Sequence, residues 1–231
     1  MLGISILLIL LTIGLANYAR RRSDNAVLAG RRVPIPNGAT VAEVTQQFLD
    51  ENEAGDVVIV GHNALVSDYF DPKRRKLYLN EAVMNGRDAG SLAIALHEAA
   101  HALQTDEARK ALDWRLTTIR ATRYLPTLVA VGALAFMVLR RLPFPRVLMV
   151  VGFIWFLIML LNFTSMPIEM NASQRALGWL ERKMAKYSNF VESMSTLLQN
   201  VAYRDTGAFT KSPLFMLFGV LPVGGKIRPG K

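Results

Sequence analysis

The feature that most constrains this chain is its set of long apolar segments. Residues 2–19, LGISILLILLTIGLANYA, carry no charged side chain, and Arg20, Arg21 and Arg22 follow them directly. A run of about 18 apolar residues approaches the length that a helix needs to cross the hydrocarbon layer of a bilayer. Because the basic residues follow the apolar run rather than precede it, the pattern favours a retained anchor over a cleaved signal peptide.

Two more apolar segments lie at residues 124–139 and 147–163, separated by the basic link RRLPFPR. They predict a helical hairpin in the membrane. The first arm is short and contains Pro126 near its start, so we expect it to cross only where the bilayer thins or a neighbouring helix helps. The stretch 213–222 has only about ten residues between prolines, which predicts an interfacial or re-entrant segment rather than another span.

Composition favours a membrane protein and disfavours other classes. Hydrophobic residues make up 52% of the chain, more than a soluble domain of this length usually carries. The net charge is +9, but the basic residues lie beside the apolar segments, so we expect anionic lipid and not nucleic acid as their partner. The chain has no cysteine, which excludes disulfides and thiolate metal sites. The arginines after the anchor predict a cytoplasmic catalytic part, although the basic hairpin link counts against that orientation.

Helix-capping signals mark two helices between the anchor and the hairpin. Thr40 and Glu43 have the spacing of a capping box, which predicts a helix that ends before Gly55. Asp88 or Ser91 is expected to cap a second helix.

The segments between these helices predict a short β-sheet. DVVIVG at 56–61 has the β-branched density of a buried strand, and KLYLN at 76–80 predicts a second strand. SDYFDPKRR at 67–75 is rich in turn residues and is predicted to connect them.

The second capped helix carries the residues with the clearest chemistry, within LAIALHEAAHALQTDE at 92–107. Helical positions i and i+4 lie about 40° apart around the axis, so His97 and His101 face a common point and could be two ligands of a tetrahedral zinc ion. Glu98 follows His97 and could act as the general base without being a ligand. The alanine-rich surroundings predict a buried helix, where ionisable groups are costly unless they are used.

A catalytic zinc ion usually has three protein ligands, so a third residue is required. Glu169 is the favoured candidate because two membrane crossings separate it from His101 and return the chain to the same membrane face. His62, which follows the first predicted strand, stays open as an alternative. Asn171 and Arg175 are predicted to orient Glu169.

These segments together resemble the bacterial membrane-associated neutral zinc metallopeptidases of the YugP type. The similarity runs from SDYFDP through LYLNEAVMNGRDAGSLAIALHEAAHALQ and resumes after the hairpin at MPIEMNASQRALGWL. The resemblance implies one catalytic zinc ion, Glu169 as the third ligand, and a place in the bacterial inner membrane. Tyr69 stands where that family usually has histidine, and Ser173 stands where the related HtpX and CAAX-prenyl peptidases have aspartate.

We therefore predict a mainly α membrane protein with three transmembrane helices and a zincin-like α+β catalytic domain, which contains a short β-sheet and an HExxH helix. The predicted regions are an N-terminal transmembrane anchor at 1–22, the catalytic part at 23–123, the transmembrane hairpin at 124–163, a helical part with the third zinc ligand at 164–206, and an interfacial segment and basic tail at 207–231.

The predicted function is a membrane-anchored zinc metalloendopeptidase. Zn²⁺ on His97, His101 and Glu169 would activate water, and Glu98 would accept its proton. We expect peptides or proteins, including membrane proteins, as substrates, with KLYLN as a sheet edge that pairs with them. The sequence does not indicate an oligomeric state.

Two other functions stay open at this point. A catalytically inactive scaffold or client-binding protein could keep the metal for stability, but it would need a fourth ligand, which His62 could supply. Intramembrane proteolysis is disfavoured because the charged segment TDEARK follows the motif directly. Tyr69, Tyr78 and His62 are the candidates for oxyanion stabilisation.

Overall fold

The computed structural model describes residues 2–36, 38–63, 68–104, 114, 125–139 and 143–204. The chain divides into two compact units, which are described separately. Unit 1 comprises Met1–Tyr18, Leu116–Thr164 and Thr206–Lys231, and unit 2 comprises Ala19–Arg115 and Ser165–Asp205. The predicted interfacial segment at 213–222 lies outside the described residues.

Helices dominate the described residues, and one small sheet accompanies them. The helices are α1 (Leu2–Gly30), α2 (Val41–Glu51), α3 (Glu81–Met84), α4 (Ala89–Ala100), α5 (Leu125–Val138), α6 (Phe144–Phe163), α7 (Met166–Lys183) and α8 (Ser188–Val201). The strands are β1 (Val58–His62), β2 (Tyr69–Asp71) and β3 (Lys76–Asn80). The prediction of a mainly α protein with a short sheet is confirmed at this level.

Unit 1 combines a small apolar core with a largely apolar exterior. Its core contains Ala16, Val147, Val151, Trp155 and Ile158. The indole Nε1 of Trp155 donates a hydrogen bond to the main-chain oxygen of Pro126 on α5, at 3.2 Å. Large apolar side chains on α1, α5 and α6 are exposed. By length and composition, α1 and the run Phe144–Lys183 could each cross a membrane, whereas α5 is shorter.

Helix α1 extends further than the predicted anchor, which was expected to end at residue 22. It continues through the three arginines to Gly30. A Cβ atom on Gly90, at the start of α4, would lie only 2.3 Å from the carbonyl oxygen of Val27, so the two backbones touch. The last turns of α1 therefore pack against α4, and this contact accounts for the additional length.

The sheet has the strand order β1-β3-β2, with β1 parallel and β2 antiparallel to β3. The prediction that KLYLN is a sheet edge is therefore wrong, because β3 is paired on both sides. The prediction of a buried first strand is also wrong, since β1 lies at the edge and Val58 is 56% exposed. The first error arises from β2, which has three residues and was predicted as a turn. The stacked rings of Tyr69 and Tyr78, 4.9 Å apart, join β2 to β3.

Helix α4 forms the centre of unit 2, and all of its residues are buried. It packs against α2, α7 and α8. Both predicted caps are confirmed: Thr40 and Glu43 form a capping box on α2, and Asp88 accepts a hydrogen bond from the main-chain N–H of Ser91 at the start of α4. The caps set where these helices begin, and the surrounding helices enclose the polar residues near the end of α4.

Candidate metal centre

Two histidines come together at the C-terminal end of α4. His97 lies in its last turn, and His101 begins a short 3₁₀ turn, His101–Leu103, that continues the helix. Their side chains are almost completely buried. The ring centroids are 5.1 Å apart and the planes are nearly perpendicular, so the two imidazoles converge without stacking.

Helix α7 brings a carboxylate to the same point. Glu169 lies in its first turn and is 1% exposed. Its Oε2 is 3.0 Å from Nε2 of His97 and 3.6 Å from Nε2 of His101. One ligand atom from each of the three residues lies within 4.8 Å of the other two.

A serine on α7 determines which nitrogen of His97 carries the proton. The hydroxyl of Ser173 donates to the carbonyl oxygen of Leu198 on α8 at 2.7 Å, which uses its only proton. Its oxygen must therefore accept from Nδ1 of His97, 2.9 Å away. The lone pair of His97 consequently lies on Nε2, which faces Glu169.

A glutamine determines the tautomer of His101 in the same way. The amide nitrogen of Gln104 donates to the carbonyl oxygen of Ile168 at 2.9 Å, which orients the amide. Its Oε1 lies 3.1 Å from Nδ1 of His101 and accepts that proton. Both histidines therefore direct an Nε2 lone pair at the Glu169 carboxylate.

This set of groups fits a divalent cation. Two imidazole lone pairs and a carboxylate are all acceptors, and a buried set of acceptors is stabilised by a positive ion. Ligands about 2.0 to 2.1 Å from a tetrahedral zinc ion lie roughly 3.3 Å apart. The observed 3.0 and 3.6 Å separations bracket that value. Two of the three separations therefore suit zinc, and the described group could bind a divalent metal ion.

Glu98 lies next in the chain to His97 and is paired with an arginine. Its Oε1 accepts a hydrogen bond from Nη2 of Arg204, which follows α8. The side chains are 7% and 12% exposed. The residue that follows His97 thus carries a nearly buried carboxylate whose charge is compensated.

The turn after His101 is held from outside by Arg75. Its Nη1 donates to the carbonyl oxygen of Ala102 at 3.3 Å, and the guanidinium forms two 2.6 Å hydrogen bonds with Asp56. The hydrogen bonds to Asp56 raise the pKa of Arg75, and they outweigh burial, which acts in the opposite direction. Arg75 therefore keeps its charge and stabilises the turn.

Other predicted site residues lie in different surroundings. Among the described residues, the group that could hold a metal ion comprises the two histidines and Glu169, and His62 at the end of β1 is outside it. Asn171 and Arg175 hydrogen-bond to each other at 3.0 Å, and their predicted role on Glu169 is untested.

Sequence reasoning missed Gln104, the orienting role of Ser173, and Arg204. A glutamine three residues after His101 was a signal that could have been used. Ser173 was noticed only as a departure from an aspartate pattern.

The sequence matches known proteins along most of its length. Residues 5–216 match the family described as "Putative neutral zinc metallopeptidase". The chain belongs to this family. It is also 30% identical over 172 residues to "Putative membrane protease YugP" from Bacillus subtilis (strain 168), which covers 74% of this chain and 75% of that protein. No solved structure matches the chain. The predicted family resemblance is confirmed, and the family description implies zinc.

Proposed function

We propose that this member of the family is a membrane-anchored zinc metalloendopeptidase. The observation that supports it is the convergence of His97, His101 and Glu169 at one buried point, and Glu98 follows His97 directly in the chain. Three ligands of the usual types, counted over the described residues, leave one position open, which is typical of a catalytic zinc ion and not of a structural one. This count favours the enzyme over the inactive metal-stabilised scaffold.

The proposed chemistry divides the work among the residues of α4 and α7. A single zinc ion held there would lower the pKa of a bound water and polarise the scissile carbonyl. Glu98 accepts the proton at its carboxylate and passes it to the leaving amine. Ser173 and Gln104 keep the protons of His97 and His101 on Nδ1, so that both Nε2 lone pairs remain available for the metal.

The membrane arrangement is also part of the proposal. Helices α1, α5 and α6 would be the three transmembrane helices, and α2, α4, α7 and the sheet would form a zincin-like domain on the cytoplasmic side of the bacterial inner membrane. The exposed apolar side chains of these three helices support this arrangement, because lipid is the environment that covers such surfaces without cost. The arginines at 20–22 would contact anionic lipid.

The test uses the full-length chain, purified in detergent with zinc. The assay measures metal content and the cleavage of an unstructured protein. We expect about one zinc ion per chain. Glu98→Gln should lower turnover by about 100-fold to 10,000-fold while the metal content stays unchanged. Glu192→Gln, on the exposed side of α8, is the matched control and should cleave like the unaltered chain.

Two outcomes would contradict this function. If the zinc-loaded chain cleaves no protein or peptide, the scaffold becomes the better interpretation. If Glu98→Gln retains full turnover, the enzyme uses another base, and the mechanism written here is wrong.

A further inference from the structure

Arg204 contacts Glu98, the predicted catalytic base, although no sequence motif indicates this role for the arginine. Its Nη2 is 2.5 Å from Oε1 of Glu98, a residue 106 positions away in the chain. A buried carboxylate is costly unless a partner compensates its charge, and Arg204 is that partner. The pair is more specific than charge compensation requires, because Arg204 is itself fixed on a second side.

Asp68 holds the other side of the guanidinium. Nη2 of Arg204 donates to the main-chain oxygen of Asp68 at 3.0 Å, and Nη1 is 3.7 Å from its carboxylate. That carboxylate also accepts the main-chain N–H of Asn80, at the end of β3, at 2.7 Å. Arg204 is therefore held between the sheet and α4, and its planar fork allows little rotation.

The turn that carries Arg204 is fixed as well. Its main-chain N–H donates to the carbonyl oxygen of Val201 at 2.8 Å, which closes the turn after α8. Arg22 of α1 lies over the ring of Tyr203, 4.6 Å from its centroid, and its Nε donates to Asn200 at 2.6 Å. Arg22 therefore holds the turn through a cation–π contact with Tyr203 and a hydrogen bond to Asn200.

These contacts determine how the Glu98 carboxylate is presented. Arg204 occupies Oε1, and the described residues offer no hydrogen bond to Oε2. One oxygen is fixed and the other is available to accept a proton. Because catalysis depends on where the base lies relative to the attacking water, a displacement of the carboxylate by about 1 Å can lower the rate roughly 100-fold.

We propose that Arg204 is a positioning residue for Glu98, which holds the carboxylate through Oε1 and reserves Oε2 for the proton of the attacking water. This inference rests on the proposed peptidase function. Arg204 acts through Glu98 and does not bind the metal or the substrate. The readouts that separate this role from a structural one are the split between kcat and KM, the metal content, and rescue by a conservative change.

The experiment measures these quantities in the full-length, zinc-loaded chain. Arg204→Met removes the charge and keeps an apolar stem, and it should lower kcat by about 100-fold with KM changed by less than about threefold. Arg204→Lys keeps the charge without the fork and should recover part of that loss. Zinc content should match the unaltered chain. The unfolding temperature should fall in Arg204→Met, because the buried Glu98 loses the partner of its charge, so turnover is compared at a temperature where both chains are folded. Arg182→Met, on an exposed arginine of α7, is the control.

A second background tests whether Arg204 acts through Glu98. Glu98→Asp withdraws the carboxylate by one methylene and so removes the contact that Arg204 makes. In that background, Arg204→Met should cause less than about a threefold further loss, because two residues that act as a unit are not additive. A full further loss would show that Arg204 acts independently and would overturn the proposal.

The remaining outcomes separate this inference from the peptidase function. If the unaltered chain cleaves peptides and folded, zinc-loaded Arg204→Met or Arg204→Lys cleaves them equally well, the positioning role is wrong and the peptidase stands. If the methionine variant does not fold, a lysine variant with increased KM and unchanged kcat would also overturn the role. A zinc-loaded unaltered chain that cleaves nothing would overturn both proposals.

Discussion

The two units place polar and apolar groups in opposite ways. In unit 1, large apolar side chains such as Phe136, Val138 and Phe153 are more than half exposed. In unit 2, the fully buried helix α4 and the 3₁₀ turn after it carry two histidines and a glutamate, and a second glutamate faces the histidines from α7.

The contrast shows where each region obtains its stability. An exposed apolar surface is stable when lipid or another apolar partner covers it. A buried polar cluster is stable when every member has a partner, and Ser173, Gln104 and Arg204 meet part of that requirement. Unit 1 thus depends on what surrounds it, and unit 2 depends on complementarity within itself.

The largest effect is expected when a carboxylate is removed from the buried cluster. Glu169→Ala should weaken zinc binding by more than the roughly 100-fold that loss of an outer partner costs, because Glu169 is predicted to bind the metal directly. Competition with a chromophoric chelator measures the affinity. Glu181→Ala, an exposed glutamate on the same helix, is the control. Unchanged affinity in Glu169→Ala would show that the third ligand lies elsewhere.

The next prediction tests the apolar exterior of unit 1. Phe153→Arg, near the middle of α6, should cost about 3 kcal/mol of membrane insertion if lipid covers that face. The same substitution at Val58, which is equally exposed but lies on the sheet edge of unit 2, should cost nothing measurable. The fraction of chain that resists alkaline extraction from membranes measures both. Equal extraction of the two variants would remove the contrast between the units.

A smaller effect is expected at the partners of the histidines. Ser173→Ala leaves Nδ1 of His97 without its acceptor and should weaken zinc binding by about 10-fold to 100-fold. Ser193→Ala, which removes a serine whose hydroxyl donates to the main-chain oxygen of Asn189 on α8, should leave the affinity unchanged. If both variants bind zinc like the unaltered chain, the tautomer of His97 does not depend on Ser173.

The smallest effect lies on the surface of unit 2. Glu51 on α2 accepts hydrogen bonds from Lys183 and from Trp179 on α7, and these bonds lower its pKa. The folded-state pKa is below the unfolded one, so this stabilisation is present above the unfolded pKa and is lost as the pH falls through the folded pKa. The carboxylate is partly exposed, so solvent screening limits the contribution to about 0.5 kcal/mol. Glu51→Gln should lower the unfolding temperature slightly at pH 7, and this decrease should shrink as the pH falls below the unfolded pKa of the carboxyl; a decrease that does not change with pH would refute the assignment.

Local signals allowed part of the fold to be predicted. The spacing of Thr40 and Glu43 and the position of Asp88 identified the starts of α2 and α4, because capping depends on residues within one turn. The sheet order could not be predicted, since a three-residue strand shows no alternation of apolar and polar positions. The full length of α1 was missed because its last turns are stabilised by contact with α4, which lies about 60 positions later in the sequence.

The candidate site was likewise predicted from the sequence only in part. The spacing of His97 and His101 follows from helix geometry, and a carboxylate beyond the hairpin could be chosen by membrane topology; their role as ligands stays a prediction. Ser173 and Arg204 could not be found from spacing, because they meet their partners across 76 and 106 positions and their residue types occur everywhere. Side chains that orient a site have fewer chemical requirements than those that bind a metal, so they leave weaker patterns.

The hydrogen bond from Ser173 to the carbonyl oxygen of Leu198 has a consequence for biosynthesis. The proton arrangement of His97 depends on α8, which is translated about a hundred residues after the histidine itself. A nascent chain that has emerged only as far as α7 has both histidines and Glu169 but lacks the helix that fixes them. The orientation of His97 would therefore be completed only after α8 has emerged, so the candidate site cannot take its final form before that helix has been made.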